Sequence, residues 1–197
     1  MTGFINPPRR IPLLLRLGIW IAEKFTGKEM LPARLLAWVP KAAVGSGILE
    51  ALVVHKDKSI SQRLLKLVRL QTSFTVSCPF CIDMNGADYA EYTVTEEEIK
   101  ALRGIIAAAD VTTFTDRERT ALEYVQLISQ TPIRFQQSFI DRLKQHFDER
   151  EIVVLGTTIA QVNYWARMIQ SLGIPPAGFS TNCDILAIES YRPLDPS

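Results

Sequence analysis

Residues 63–85, RLLKLVRLQTSFTVSCPFCIDMN, decide how the chain folds. From Ile60 onward the apolar residues recur at spacings of three, four and seven, which is typical of one face of a helix. Pro79 interrupts this pattern, because the residue before a proline is pushed out of the helical region of backbone space. The stretch therefore predicts one helix that ends at about Ser77 and a second helix that begins at Cys78.

The remainder of the chain after Ser59 also has helical periodicity. Three segments begin with a capping box, in which a side chain binds the backbone N–H three residues on and a glutamate reaches back. These boxes pair Thr95 with Glu98, Thr115 with Glu118, and Asp148 with Glu151. A further helix is expected from about Gln136, and the last long helix should stop at Gly173. Residues 151–158 (EIVVLGTT) are rich enough in β-branched side chains for a strand, but the box before them favours a helix. The sequence predicts an all-α protein.

The first 58 residues differ from the rest, because prolines separate short helical patterns at residues 11–25, 31–38 and 47–54. We interpret residues 1–58 as an N-terminal helical extension packed on the core, and residues 59–197 as the core itself. A shift of 86 residues aligns Val68, Thr72 and Val76 with Val154, Thr158 and Val162. These few matches leave an internal helical repeat as an open alternative.

The charge balance and the apolar segments exclude several classes of protein. Lys plus Arg number 22 and Asp plus Glu number 21, so the chain lacks the positive charge that a nucleic-acid binder needs. The apolar run at residues 11–22 contains Arg16 and is far shorter than the roughly 20 residues that cross a membrane. No small-residue cleavage site follows this run, so we expect a cytoplasmic protein with no membrane span.

Cys78 and Cys81 form the CxxC motif of the sequence and are the first candidates for chemistry. At the first turn of a helix, side chains three residues apart are neighbours, and the unpaired N–H groups there favour a thiolate. A second thiol within reach can then resolve a sulfenic acid. This equipment indicates a thiol redox centre; half of a zinc site and two inert buried cysteines are the alternatives. Zinc would need further ligands from His55, His146 and Cys183 at irregular spacing, so no metal is expected.

Residues 63–85, together with TDRERTALEYV at 115–125 and EIVVLGTTIAQVNYWARMIQSLGIPP at 151–176, resemble the AhpD-like alkylhydroperoxidase and carboxymuconolactone decarboxylase family. The resemblance covers roughly residues 59–178. It implies an AhpD-like helical fold with an internal repeat, a homo-oligomer such as a trimer, hexamer or dimer, and reduction of hydroperoxides without metal, haem or other cofactor. In the peroxidase branch the second cysteine attacks the peroxide and the first resolves the product. Carried over to this chain, these are Cys81 and Cys78.

Two positions depart from the family pattern. Asn85 stands where the peroxidase branch has a histidine, and Lys66 stands where it has a glutamate. An imidazole accepts a proton near neutral pH, whereas an amide only forms hydrogen bonds. Either the Lys66 ammonium or Asp83 supports the thiol by another route, or the redox pair is kept without efficient peroxidase turnover. An ammonium would favour the thiolate, whereas Asp83 would oppose it electrostatically but could orient water.

These observations predict a thiol-dependent hydroperoxide reductase, an antioxidant enzyme whose partners are a hydroperoxide and a cellular dithiol or disulfide reductase. A non-redox lyase of the decarboxylase branch and a non-catalytic oligomeric protein with a vestigial redox pair are the alternatives. We expect the aromatic pair Tyr164 and Trp165 in the core or a subunit interface rather than in the wall of an apolar peroxide pocket. We expect Asn163 with Arg167 to form a structural clamp rather than a substrate contact.

Overall fold

A computed structural model describes residues 3–53 and 59–180, which are helical and contain no strand. The all-α prediction is therefore confirmed. A 3₁₀ turn at Tyr89–Tyr92 joins the fifth and sixth α-helices. The α-helices are α1 Leu13–Thr26, α2 Leu31–Leu36, α3 Pro40–Val53, α4 Gln62–Thr75, α5 Pro79–Gly86, α6 Glu96–Leu102, α7 Asp116–Ser129, α8 Gln137–His146 and α9 Glu149–Ser171.

The starts of α6, α7 and α9 and the end of α9 agree with the signals read from the sequence. Helix α3 begins at Pro40 and not at residue 47 as predicted, because a proline is well tolerated in the first turn of a helix. All three capping boxes form with both of their hydrogen bonds, at the starts of α6, α7 and α9. Residues 151–158 lie inside α9, so the preference for a helix over a strand is confirmed. Beyond α9, Gly173 has a φ of 61°, and the Ile174 N–H donates to the Ile169 carbonyl at 3.1 Å. A left-handed glycine with this bond is a common way to end a helix.

Helix α4 packs against α5, α7 and α9 and is buried on two sides. On one side Leu64, Leu65 and Val68 contact apolar residues of α7, α8 and α9. On the other side Leu67 and Leu70 contact the cluster around α6 and the loop that follows it. Because both faces are covered, α4 is the scaffold on which the other core helices are arranged.

Arg63 of α4 ties the starts of α6 and α7 to the central helix. Its Nη2 donates to Glu98 Oε1 at 2.6 Å, and its Nε donates to Glu118 Oε1 at 2.8 Å. Both glutamates are the reaching-back members of capping boxes. The same arrangement recurs at α9, where Arg117 donates to Glu151 at 2.7 Å. The capping boxes therefore also supply the ion pairs that hold the helices together.

Glu98 illustrates the balance of effects in this network. Its side chain is fully buried, and burial by itself would raise its pKa. Hydrogen bonds from Arg63, from the Thr113 hydroxyl and from the Thr95 backbone outweigh burial, so the pKa of Glu98 lies below its ordinary value. The ionised form is therefore the one that stabilises the fold, and its contribution is lost as the pH falls through the lowered pKa.

The N-terminal helices pack against α5 and α9. Helix α3 contacts α9, and Leu35 of α2 packs in one apolar cluster with Phe80 of α5 and Ala166 of α9. The Phe4 N–H donates to the Leu172 carbonyl at 2.8 Å, and the hydroxyls of Ser46 and Tyr164 are 2.6 Å apart. Within the described ranges no helix is long and apolar enough to cross a membrane. The division into an extension, 1–58, and a core, 59–197, stays a prediction, because residues 54–58 lie outside the described part.

We expect Arg63→Met to lower the free energy of unfolding by about 3 kcal/mol, because it leaves buried carboxylates without their partner. Urea denaturation followed by circular dichroism measures the change. The matched control is Arg142→Met, which breaks the half-exposed pair with Glu123 and should cost at most about 1 kcal/mol. Equal losses in the two variants would contradict a structural role for the Arg63 network.

Candidate functional site

The two cysteines lie at the junction between α4 and α5. Cys78 has an extended backbone, with φ −97° and ψ 104°, as the following Pro79 requires, and it is the N-cap of α5. The Cys81 N–H donates to Cys78 Sγ at 3.3 Å. The two Cα atoms are 5.2 Å apart and the sulfur atoms are joined as a disulfide. The expectation that the two sulfur atoms can reach one another is confirmed.

The two cysteines differ in their surroundings. Cys78 is 0% exposed and Cys81 is 4% exposed, and both pack among apolar residues of α5 and α9. Of the two, Cys81 lines a cleft of about 570 Å³ between helices α1–α3 and helices α4, α5 and α9. A small molecule that enters this cleft therefore meets Cys81.

The cleft wall is mostly apolar, with a few polar side chains. Its apolar part includes Leu15, Ile19, Met30, Leu36, Met84 and Ile169. Its polar groups include Glu50 from α3, Arg69 from α4, Asn85 from α5, and Gln161 with Trp165 from α9. An apolar cleft of this size with few polar groups is typical of a binding site for a small organic molecule.

Asn85 is the predicted supporting residue that the structure brings to the cleft. It follows Cys81 by one helical turn, and its Nδ2 donates to the Ser73 hydroxyl of α4 at 3.0 Å. The amide thus holds α5 against α4 beside the cysteine pair. It occupies the place of the family's histidine without the ability of an imidazole to accept a proton.

Lys66 and Asp83, the other predicted supporting residues, do not line the cleft. Burial lowers the pKa of Lys66 to about 8. Its Nζ donates to the Ala87 carbonyl and lies 4.9 Å from the centre of the Tyr92 ring. The Asp83 carboxylate accepts backbone hydrogen bonds at 2.7 to 2.9 Å from Ala177, Gly178 and Ser180. Both side chains therefore have local partners, and their action on the thiols stays a prediction.

Arg69 is a cleft residue that the sequence reasoning missed. Its Nη2 is buried and has no hydrogen-bond partner among the described residues. Burial lowers the pKa of Arg69, while the carboxylate of Glu50 and Tyr92 favour the charged form. The sequence contains a signal for this residue: a cationic side chain lies between the apolar Val68 and Leu70, which pack into different core clusters.

Glu50 was also missed, because α3 was treated only as part of an extension. Its Oε2 accepts hydrogen bonds from Gln161 Nε2 at 2.7 Å and from Trp165 Nε1 at 2.8 Å. Trp165 packs against the core cluster that includes both cysteines and also lines the cleft, so both the core and the pocket-wall interpretations hold for this residue. Its neighbour Tyr164 is 40% exposed and contacts Ser46 of α3.

Of the remaining candidates, those that the structure describes do not line the cleft. His146 ends α8 outside the cleft, and His55 and Cys183 fall outside the described residues. Asn163 donates to the Ser129 hydroxyl at 3.1 Å and so clamps α9 to α7, while Arg167 is exposed. Within residues 3–53 and 59–180, no group of three His, Cys, Asp or Glu side chains is placed to hold a metal.

Comparisons with known proteins place these features in a family. The sequence model of the carboxymuconolactone decarboxylase family matches residues 47–127. The uncharacterized protein YdfG of Bacillus subtilis (strain 168) is 30% identical over 119 residues, which cover 60% of this chain and 79% of that protein. The uncharacterized protein YnjA of Escherichia coli (strain K12) is 27% identical over 177 residues, which cover 88% of this chain and 94% of that protein.

Solved structures with the same fold include two that cover most of the chain. The alkylhydroperoxidase AhpD core of an uncharacterized peroxidase-related protein from Ralstonia eutropha JMP134 has a TM-score of 0.72 at 16% identity, covering 89% of this chain and 93% of that one. A variant of the debrominase Bmp8 in complex with 2,3,4-tribromopyrrole has a TM-score of 0.76 at 16% identity. The match covers 94% of this chain and 98% of that one. These similarities show a shared fold.

We expect Asp83→Asn to loosen the segment at residues 177–180, because an amide is a weaker acceptor than a carboxylate for three backbone N–H groups. Hydrogen exchange at the backbone amides of Ala177 and Gly178 should become at least about tenfold faster. This corresponds to a decrease of about 1.4 kcal/mol in the free energy of local opening. The control is Asp141→Asn, in the exposed part of α8, which should leave this exchange unchanged. Unchanged protection in Asp83→Asn would contradict the assignment.

Proposed function

Because the chain belongs to the carboxymuconolactone decarboxylase family, we propose that it is a thiol-dependent hydroperoxide reductase whose Cys78 and Cys81 cycle between dithiol and disulfide. One observation carries the proposal: a disulfide-bonded CxxC pair lies at the wall of an apolar cleft, and Cys81 is the member that lines it. An antioxidant function is consistent with the AhpD-like fold.

In the first step the Cys81 thiolate attacks the terminal oxygen of a hydroperoxide. An S–O bond forms, the O–O bond breaks, and the leaving alkoxide takes a proton to become an alcohol. Cys81 is left as a sulfenic acid. Access supports Cys81 as the attacking residue, because Cys78 is fully buried and does not line the cleft.

In the second step the Cys78 sulfur attacks the Cys81 sulfur. The S–S bond forms, the S–O bond breaks, and the hydroxyl leaves as water with the proton that Cys78 releases when it becomes the thiolate. The N-cap position supports this role, because the N–H of Cys81 points at Cys78 Sγ and favours the thiolate there. A cellular dithiol or disulfide reductase then returns the pair to the dithiol and is itself oxidised to a disulfide.

The proposed cycle lacks an imidazole in the described cleft. Asn85 is suited to donate a hydrogen bond to a peroxide oxygen but not to accept and release a proton near pH 7. The alkoxide then takes its proton from solvent that enters the open cleft. We therefore propose that the reaction proceeds more slowly than in a protein with histidine at this place.

We further propose that the protein is a cytoplasmic homo-oligomer. Helix α1 supports this proposal, because Leu13, Leu14, Leu17, Trp20 and Phe25 are each more than half exposed. Several exposed large apolar side chains along one helix are typical of a contact with another protein chain. The reducing cytoplasm also supplies the dithiols that the cycle consumes.

The cysteine roles are tested by stopped-flow measurement of cumene hydroperoxide consumption with dithiothreitol as the reductant. We expect the unaltered protein to turn over, Cys81→Ser to be inactive, and Cys78→Ser to complete one attack and stop at a sulfenic acid that dimedone traps. Cys183→Ser is the matched control and should keep the activity. Absence of both hydroperoxide consumption and a Cys78–Cys81 disulfide in the unaltered protein would refute the proposal and favour the lyase or the non-catalytic alternative.

Replacing Asn85 with histidine tests the missing proton carrier. We expect Asn85→His to raise kcat/KM by about tenfold or more. It should also add a limb to the pH profile at about pH 6.5, the ordinary pKa of an imidazole. Asn85→Gln, which keeps the amide, should show neither change. A folded Asn85→His protein with the original rate and pH profile would show that proton transfer does not limit the reaction.

A further inference from the structure

The cleft wall includes a partly buried arginine, Arg69, one of whose nitrogens has no hydrogen-bond partner among the described residues. Arg69 Nη2 has no hydrogen-bond partner within the described ranges, although it is shielded from solvent. Arginine remains charged at neutral pH even where burial lowers its pKa. Buried charged groups are normally paired or hydrogen-bonded, because an unmet donor keeps its full desolvation cost. Arg69 Nη2 is therefore a hydrogen-bond donor that lacks an acceptor among the described residues.

The other polar groups of the cleft do not meet this donor. Glu50 attracts Arg69 electrostatically, but its Oε2 accepts from Gln161 and Trp165 and it is no hydrogen-bond partner of Nη2. The Asn85 amide donates to Ser73. Tyr92 is the further titratable group that acts on Arg69, and it also favours the charged form. The acceptor must therefore come from outside this set of side chains.

The rest of the cleft fixes the kind of molecule that would bring the acceptor. Its volume of about 570 Å³ and its largely aliphatic wall suit an apolar body. Arg69 is the one Lys or Arg side chain among the described residues of the wall, and Glu50 already supplies a negative charge. Because the charges of Arg69 and Glu50 cancel, a phosphate dianion would leave two negative charges in the cleft and a carboxylate only one. A carboxylate also matches a guanidinium through two nitrogens.

We propose that Arg69 binds the carboxylate of an apolar organic acid whose hydrocarbon body occupies the cleft beside Cys81. For the reaction the inference rests on the proposed function: the hydroperoxide reduced at Cys81 would then be one carried by an organic acid. Arg69 holds the acid end, the aliphatic wall holds the chain, and Cys81 meets the peroxide group.

Binding is tested on the full chain in its disulfide form, so that the result does not depend on turnover. The probe is decanoate, and 1-decanol has the same chain without the charge; both are titrated by calorimetry at neutral pH. We expect decanoate to bind more tightly than 1-decanol. Arg69→Met should weaken decanoate binding by about tenfold or more and leave 1-decanol unchanged, because a charge-assisted hydrogen bond is lost.

Two variants control for the chemistry of the change. Arg69→Lys keeps the cation and should retain most of the preference for decanoate over 1-decanol. Arg167→Met makes the same replacement at an exposed arginine of α9 and should leave both affinities unchanged. Equal affinity for the two probes in the unaltered protein, or decanoate binding to folded Arg69→Met as tight as to the unaltered protein, would overturn the proposal.

A second pair of variants locates the site without touching Arg69. Gly47 and Gly45 both lie in α3, and a Cβ added at either meets no atom within 4 Å, but only Gly47 lines the cleft. Gly47→Phe should fill the cleft and weaken decanoate binding by about tenfold or more, whereas Gly45→Phe should not. Unchanged decanoate binding in Gly47→Phe would place the acid elsewhere and also overturn the proposal. Hydroperoxide turnover by the unaltered protein is scored separately, so either proposal can fail alone.

Discussion

The break in the helix at Cys78 and Pro79 is the constraint on which the site depends. Pro79 holds Cys78 in an extended conformation, and Cys78 in turn becomes the N-cap of α5. One turn later Cys81 has its sulfur against that of Cys78 and its side chain at the cleft. Because α4 before the break is packed on two sides, the junction is held in place by the whole core.

Two partly buried arginines of α4 have different surroundings. Arg63 has its partners within the chain, since the capping-box residues Glu98 and Glu118 accept its hydrogen bonds. Arg69 lies less than two turns further along α4, yet its Nη2 has no such partner among the described residues. The first arrangement holds helices together, whereas the second leaves a charge for a molecule that enters the cleft. Charge and residue type are the same; only the neighbours differ.

The two residues that depart from the family pattern each have a nearby hydrogen-bond partner in the structure. Asn85 lines the cleft, but its amide donates a hydrogen bond to the Ser73 hydroxyl. The Lys66 ammonium donates to the Ala87 carbonyl. The other polar groups that line the cleft include Glu50 of α3, Arg69 of α4 and Gln161 of α9. The N-terminal helices, interpreted from sequence as a packed extension, therefore form one wall of the candidate site.

The sequence by itself determined the helices from α4 onward, most of their ends and the spacing of the cysteine pair. Capping boxes, the effect of Pro79 on Cys78 and the reach between Cys78 and Cys81 act over three or four residues, so the local order of residues is enough to read them. Only the tertiary structure decided that Glu50, Arg69 and Trp165 meet in one cleft. These side chains are distant in sequence, and whether a charge is buried or unpaired depends on how all the helix faces pack, which no local pattern encodes.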